Sequence, residues 1–452
     1  MSRQARELAI GISLFVITFA VFWISPVLNV GDSHYSMLLS ESILSRHSVF
    51  LNEYSFPRDV AITTRDAPPV RGPALGYSYQ LGIVHGHVMY VYPHGSSLLS
   101  LPFVAIANLL GLHAATAQGG YSVRGEVIIE KILAAFLMAL LTVIIFRTSL
   151  SLLDIGASVF VAVACAFGTQ IWSSASRAMW SSTWLILLAQ IAILELVRSD
   201  LSERPPRAVL LATILSWMYF CRPTASIPIA VLTVYIFWFH RRNFVAFAAT
   251  GSVWCLAFVA YSRFAFGEWL PGYYAVGSQM KFHDFFVALA GLLISPSRGL
   301  FIIVPVTAFV LYRVVRYWKS LPERALAAAA LAIVTLLVLS AALWPIWWGG
   351  WSYGPRILTD VLPWLVLLAI LSLAAAPPHA ARKLSRIEMA TGLSLVVISI
   401  AMNAPGALSY KSARWNAVVD IDNHPERAFN WRYPQFLAGF ISAPHGWRDP
   451  DG

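Results

Sequence analysis

The sequence predicts an all-α polytopic membrane protein with about eleven transmembrane helices, amino terminus inside and carboxyl tail outside. Three observations carry this reading. Of the 452 residues, 58% are hydrophobic and only 12% charged, whereas soluble domains carry roughly 25% charged residues. Several apolar runs approach the ~20 residues needed to cross hydrocarbon. The basic residues gather in short connectors between those runs: Arg147; Arg198, Arg204 and Arg207; Arg241 and Arg242; Arg313, Arg316, Lys319 and Arg324; Arg382, Lys383 and Arg386. That is the signature of cytoplasmic loops. The net charge of +10 therefore reports orientation, and no nucleic-acid partner is expected.

The first apolar run, Leu8 to Leu28, has the basic start of a signal peptide in Arg3 and Arg6. It lacks a small-residue cleavage site and is long enough to span, so it reads as a retained anchor. The later spans fall near 127–146, 155–171, 183–197, 208–221, 224–240, 244–262, 299–315, 325–344, 357–375 and 387–403. Residues 1–403 then form one membrane domain. The segment 404–452 is external, too short for an independent domain, and expected to pack on the outer loops.

Between the first two spans lies an outer segment of about 29–126, and a loop of that size is usually functional. In it, His34 to His47 reads as an interfacial amphipathic helix that Ser33 or Asp32 could cap. The stretch 57–79, rich in Pro, Gly and Arg, reads as irregular loop, and Val84 to Tyr92 as a short hairpin turning at Gly86. Ser96 to Leu112, interrupted by Pro102, is placed on the outer face or re-entrant, because a crossing there would invert every later loop. Further outer loops are 263–298 and 345–356, and no repeat is evident.

Several functions are excluded or disfavoured. Cys165, Cys221 and Cys255 make neither a disulfide framework nor a metal motif. Walker, dinucleotide-binding, HExxH and nucleophile-elbow motifs are missing. Charged residues inside the spans (Glu130, Lys131, Glu195) all lie near an end, whereas a proton-coupled transporter buries carboxylates near the midplane.

Two places could carry chemistry. Asp32, in Val30-Gly-Asp-Ser-His34, follows the first span directly. It could merely cap the next helix, but a charge beside hydrocarbon is costly and tends to be kept for a role. A carboxylate there suits a general base. The second place is Leu343-Trp-Pro-Ile-Trp-Trp-Gly-Gly-Trp-Ser-Tyr-Gly-Pro-Arg356. Trp344, Trp347, Trp348, Trp351 and Tyr353 could be an aromatic belt. The glycines instead suggest close approach to a ligand, with Trp348, Trp351 and Tyr353 stacking on a sugar and Arg356 binding phosphate in bidentate fashion. His94, Arg298, Arg222 and Arg177 lie on the same predicted side. His94, Arg298 and Arg222 are candidate phosphate ligands, with a turn or a snorkelling arginine as the plainer alternatives.

The acidic residue after the first span, the Tyr92-Pro-His-Gly95 segment before a short apolar helix, and the Trp-x-Gly-x-x-Ser-Tyr-Gly-Pro-Arg loop together resemble the GT-C class of membrane glycosyltransferases. They look most like bacterial enzymes related to protein O-mannosyltransferases and lipid A aminoarabinose transferases. The resemblance implies transfer of a sugar from a polyprenyl-phosphate carrier to a hydroxyl of a lipid, glycan or protein. It implies a site on the outer, periplasmic face of the bacterial cytoplasmic membrane, with Asp32 as base and Arg356 near the donor phosphate. An oligosaccharide ligase or a lipid transporter of the same membrane is the rival reading.

The chain also departs from the pattern. Many members have an acidic pair, but Asp32 is followed by Ser33 and His34, and the next carboxylates are Glu41, Glu53, Asp59 and Asp66. Glu53 is the candidate helper, and with His34 it completes the expected sugar- or acceptor-binding set. The sequence demands no cofactor. A divalent metal is compatible with the class, and His34, Glu41, His85, His87 and His94 could supply ligands, though their spacing forces no site.

Overall fold

The computed structural model describes residues 2–56, 61–64, 77–275, 280, 282, 284–375 and 385–444. Asp59, Asp66, Arg382 and Lys383 lie outside the described residues. Helix α1 (Arg3–Ile24) starts on Ser2, whose side chain accepts from the Ala5 amide, as an N-cap should. After it comes α2 (Ser36–Arg46), then strands β1 (Ala61–Thr64), β2 (Tyr77–Val84) and β3 (His87–Tyr90), then α3 (Gly95–Leu109). The bundle continues with α4 (Val123–Ser149), α5 (Ile155–Phe167), α6 (Ser181–Leu201), α7 (Ala208–Cys221), α8 (Ser226–Phe239) and α9 (Arg241–Phe266). Next are α10 (Phe285–Ile294), α11 (Leu300–Ile303), α12 (Val306–Arg316), α13 (Arg324–Ala342), α14 (Leu362–Ala374), α15 (Arg386–Leu408) and α16 (Tyr410–Val418).

Among the described residues, six helices are long and apolar enough to cross a membrane: α1, α4, α9, α13, the Arg356–Ala374 stretch containing α14, and α15. Five shorter apolar helices accompany them. α4 is the central post. It packs on α1, α5 and α6, and Leu133, Ala134, Leu137, Met138 and Leu141 lie on its buried side. α9 lies at the periphery, with Val245, Val253, Leu256 and Phe264 exposed, the pattern of a helix whose neighbour is lipid.

Several elements differ from the sequence reading, each for a local reason. The fold is not wholly α. β1 pairs parallel with β2, and β2 antiparallel with β3, so strand replaces irregular loop at 61–64 and 77–79. The β2–β3 turn falls at His85 and Gly86, both at positive φ (50° and 80°), which matches the twist of a two-residue hairpin. The run 299–315 is broken into α11 and α12 at Pro305, which has no N–H to continue a helix. α10 adds a helix within 263–298, a stretch expected to be loop. Arg313, expected in a basic connector, is buried in α12 and joins α15 through Glu388 at 2.9 Å.

Neither Asp32 nor Ser33 caps α2. Its N-cap is Tyr35, which makes no side-chain cap bond. Instead the Glu126 carboxylate of α4 accepts from the Met37 and Leu38 amides at 2.9 and 3.1 Å, an anion at the positive end of the helix. Ser33 Oγ donates to Glu130 at 2.7 Å. The capping groups come from the next long helix, and Asp32 is left free for other partners.

Candidate functional site

Asp32 sits on an extended segment that leaves α1. Val27 N donates to Ala407 O at 3.2 Å and Asn29 N to Arg177 O at 3.3 Å. The Arg177 guanidinium is fully buried beneath the end of α1, donating to the Ser25 carbonyl at 3.0 Å and to the Phe22 carbonyl. A cation on the last carbonyls of a helix satisfies acceptors that have no intrahelical donor. Arg177 is thus a structural brace for the Asp32 segment.

The β2–β3 hairpin brings phenols to Asp32. Side chains two apart on a strand share a face, and Tyr90 and Tyr92 use that spacing, with Tyr79 opposite. Tyr79 Oη donates to Asp32 Oδ1 at 3.1 Å and Tyr92 Oη to the same oxygen at 3.4 Å. Tyr90 Oη donates to the Asp32 carbonyl at 2.7 Å. Tyr273 packs 5.0 Å, ring to ring, from Tyr92. Burial, and secondarily the Asp32 charge, push Tyr79, Tyr90 and Tyr92 above the ordinary phenol range. They stay protonated and act as donors.

Arg356 closes the site from the far end of the sequence. Its Nη1 lies 3.0 Å from Asp32 Oδ2, across 324 positions. Its guanidinium lies 3.9 Å from the centre of the Trp180 ring, a cation–π contact that fixes the plane. Gly354, at φ 58°, turns the chain ahead of it. Arg356 Nε is buried with no protein partner among the described residues. Arg222 lies behind, its Nε 2.9 Å from Asp360 Oδ2 and its Nη1 3.0 Å from Ser181 Oγ. Burial opposes the charge of Arg222, but Asp360, Tyr273, Asp32 and Tyr92 together raise its pKa. Two arginines, each paired with one carboxylate, Asp32 or Asp360, thus stand beside a cluster of phenols, a setting in which an anion is held and a proton can be taken.

The other expected site residues are placed elsewhere. His94 is buried, with Nδ1 2.5 Å from Tyr261 Oη and Nε2 2.7 Å from Tyr90 O. Burial lowers its pKa to about 4, so it stands as a neutral positioning group beneath Tyr90, without the charge a phosphate ligand needs. Arg298 is also buried, and protein acceptors use its guanidinium: Trp348 O at 2.6 Å, Asn416 Oδ1 at 2.7 Å, Ser297 O at 3.1 Å and Gln435 Oε1. Tyr353 is buried with its hydroxyl on Met402 O. Trp348 and Trp351 donate to Asp422 and Asp420, each at 2.8 Å, so these indoles dock the late loop onto the carboxyl segment. Glu53 is exposed and paired with Arg46, and His34 Nδ1 lies 3.3 Å from Tyr121 Oη. Among the described residues no three His, Cys, Asp or Glu converge as metal ligands.

The sequence reading gave no site role to Tyr79, Tyr90, Tyr92, Tyr273, Trp180 or Asp360. The alternation Tyr90-Val-Tyr92 in a predicted hairpin was the available signal for two of them.

The buried neutral His94 has a consequence for stability. The unfolded imidazole, near pKa 6.5, takes up a proton that the folded site refuses until about 4. Stability contributed this way is complete above pH 6.5 and falls as pH drops toward 4, by about 3 kcal/mol in all. Thermal unfolding of the detergent-solubilised protein should therefore lose less between pH 6.5 and 4.5 in His94→Gln than in wild type; parallel curves would contradict it.

The helical bundle and its apolar lipid-facing surfaces define a multi-pass membrane protein. A crystal structure of ArnT from Cupriavidus metallidurans in the apo state is similar over 93% of this chain and 81% of that one, at 12% sequence identity and a TM-score of 0.45. No family model matches the chain, and no curated protein matches it in sequence.

Proposed function

We propose that this protein is a GT-C glycosyltransferase that moves a sugar from a polyprenyl-phosphate carrier to an acceptor hydroxyl at the outer face of the bacterial cytoplasmic membrane. One observation carries the reading: the 3.0 Å contact between Asp32 and Arg356 within a shell of neutral tyrosines, with Arg222 behind. Asp32 accepts the proton of the acceptor hydroxyl, whose oxygen bonds to the anomeric carbon. The bond from that carbon to the phosphate oxygen breaks, and its electrons leave with polyprenyl phosphate. A phosphodiester thereby becomes a monoester, and the added negative charge falls where Arg356, helped by Arg222, can stabilise it. No general acid is required, unlike the carboxylate pair of glycosidases.

Arg356 is shared in this scheme. A carboxylate offers about four lone-pair sites; Tyr79, Tyr92 and Arg356 use three of those on Asp32. Arrival of a phosphate competes for the guanidinium, loosens its hold on Oδ2, and exposes the oxygen that takes the proton. The unpartnered Arg356 Nε gives the phosphate a second point of attachment.

The test is transfer and binding with radiolabelled polyprenyl-phosphate sugars. Arg356→Ala removes one charge-assisted contact, and donor affinity should fall about 10- to 100-fold. Donor binding at wild-type strength would remove Arg356 from the phosphate site.

A further inference from the structure

α6 links Trp180 and Ser181, beside Arg356, to a second feature about 30 Å away along its axis. There a cleft of about 880 Å³ opens among the ends of α6, α8, α9 and α13, within the size range of ligand pockets. Its wall carries Arg204, Arg241, Arg242 and Arg324, with the carboxylates of Glu203 and Glu323. None of these six side chains has an ion-pair partner among the described residues. Ions of both signs therefore line one concavity with none of the six within ion-pair distance of another. Deeper in, Asp200 accepts from Tyr235 Oη at 2.7 Å and lies 3.0 Å from His240 Nε2. Burial and the Asp200 charge raise the Glu323 carboxyl pKa, so a cation beside it would relieve an existing cost.

The cleft has a third side. Trp238 and Phe239, each 59% exposed, line it and continue the exposed apolar edge of α8 at Val234 and Phe237. Aromatic rings at the end of a membrane helix sit at headgroup level. A ligand here meets arginines, carboxylates and hydrocarbon in one place.

We propose that this cleft binds the headgroup of an amine-bearing phospholipid, its phosphodiester on the arginines, its ammonium on Glu203 and Glu323, and its acyl chains along Trp238 and Phe239. A purely anionic headgroup would set its charge against Glu203, Glu323 and Asp200. A quaternary ammonium would bring no N–H to the carboxylates. A soluble phosphate would leave the aromatic edge unused. The site is independent of the sugar-transfer reading, and its readout is lipid retention.

The experiment is native mass spectrometry of the purified full chain with phosphatidylethanolamine, phosphatidylglycerol and phosphatidylcholine of identical acyl chains. Phosphatidylethanolamine should be retained about tenfold more tightly than the other two, the value of one charge-assisted bond. Glu203→Gln with Glu323→Gln should erase that preference while lipid still binds, and Arg241→Ala with Arg242→Ala should weaken retention of phosphatidylethanolamine and phosphatidylglycerol alike. The carboxamide pair keeps the test valid if the arginine variant does not fold. Equal retention of the three lipids, or a preference untouched by the carboxamide pair, would overturn the proposal. So would free phosphoethanolamine that binds as tightly as the lipid.

Discussion

Asp32→Asn should lower sugar transfer by about 10²- to 10⁴-fold, the usual contribution of a positioned base, while leaving donor affinity intact or slightly higher. The amide oxygen can still accept from Tyr79 and Tyr92, so the hairpin keeps its seat. The ion pair with Arg356 is lost, and the guanidinium no longer divides its charge between carboxylate and phosphate. Turnover and binding should therefore move apart. Single-turnover transfer measured beside equilibrium donor binding separates the cases. Turnover within a few fold of wild type would end the assignment of Asp32 as base. Donor binding that fell in step with turnover would mark the residue as a strut.

Arg298→Ala should produce the largest loss of stability, about 3–5 kcal/mol, the cost of breaking a buried charged network. Five acceptors around it would lose their donor together: the Trp348, Ser297 and Gly350 carbonyls, Asn416 Oδ1 and Gln435 Oε1. Those groups belong to the late aromatic loop, the start of α11 and the carboxyl segment, so their mutual docking should fail first, as a local opening. Limited proteolysis in detergent should release fragments cut between 409 and 444 at protease levels that leave wild type whole. Arg298→Lys should fall between the two, because a single ammonium cannot reach acceptors spread over the guanidinium plane. Wild-type protease resistance in Arg298→Ala would show that the network contributes little.

Much of the helical framework was legible because hydrocarbon imposes one rule, a long apolar run with its backbone bonds closed inside it. That logic reached α1, α4, α9, α13 and α15. It failed where an apolar run contains a breaker, as at Pro305; of the sheet, only the hairpin turning at Gly86 was legible, and β1 with the start of β2 was read as loop. In the site, Asp32 and Arg356 were nameable from position and neighbours alone, though not their contact across 324 residues. The remaining cations show why composition stops short. Arg298, Arg222 and Arg177 look alike in sequence. Their surroundings separate them into a cross-tie of backbone and amide oxygens, a partner of Asp360, and a brace beneath α1. His94, a candidate phosphate ligand or simply part of a turn by its place before the short apolar helix, is buried between Tyr90 and Tyr261.

The seat of Gly95 has a mechanical result. A Cβ at that position would lie 2.3 Å from the Phe220 carbonyl carbon, so α3 rests on the end of α7 without slack, and Tyr92 stands three residues upstream. Bilayers of unequal thickness tilt their helices by unequal amounts. A change in the tilt of α7 would therefore press on α3 at that contact, three residues from the tyrosine that reaches Asp32.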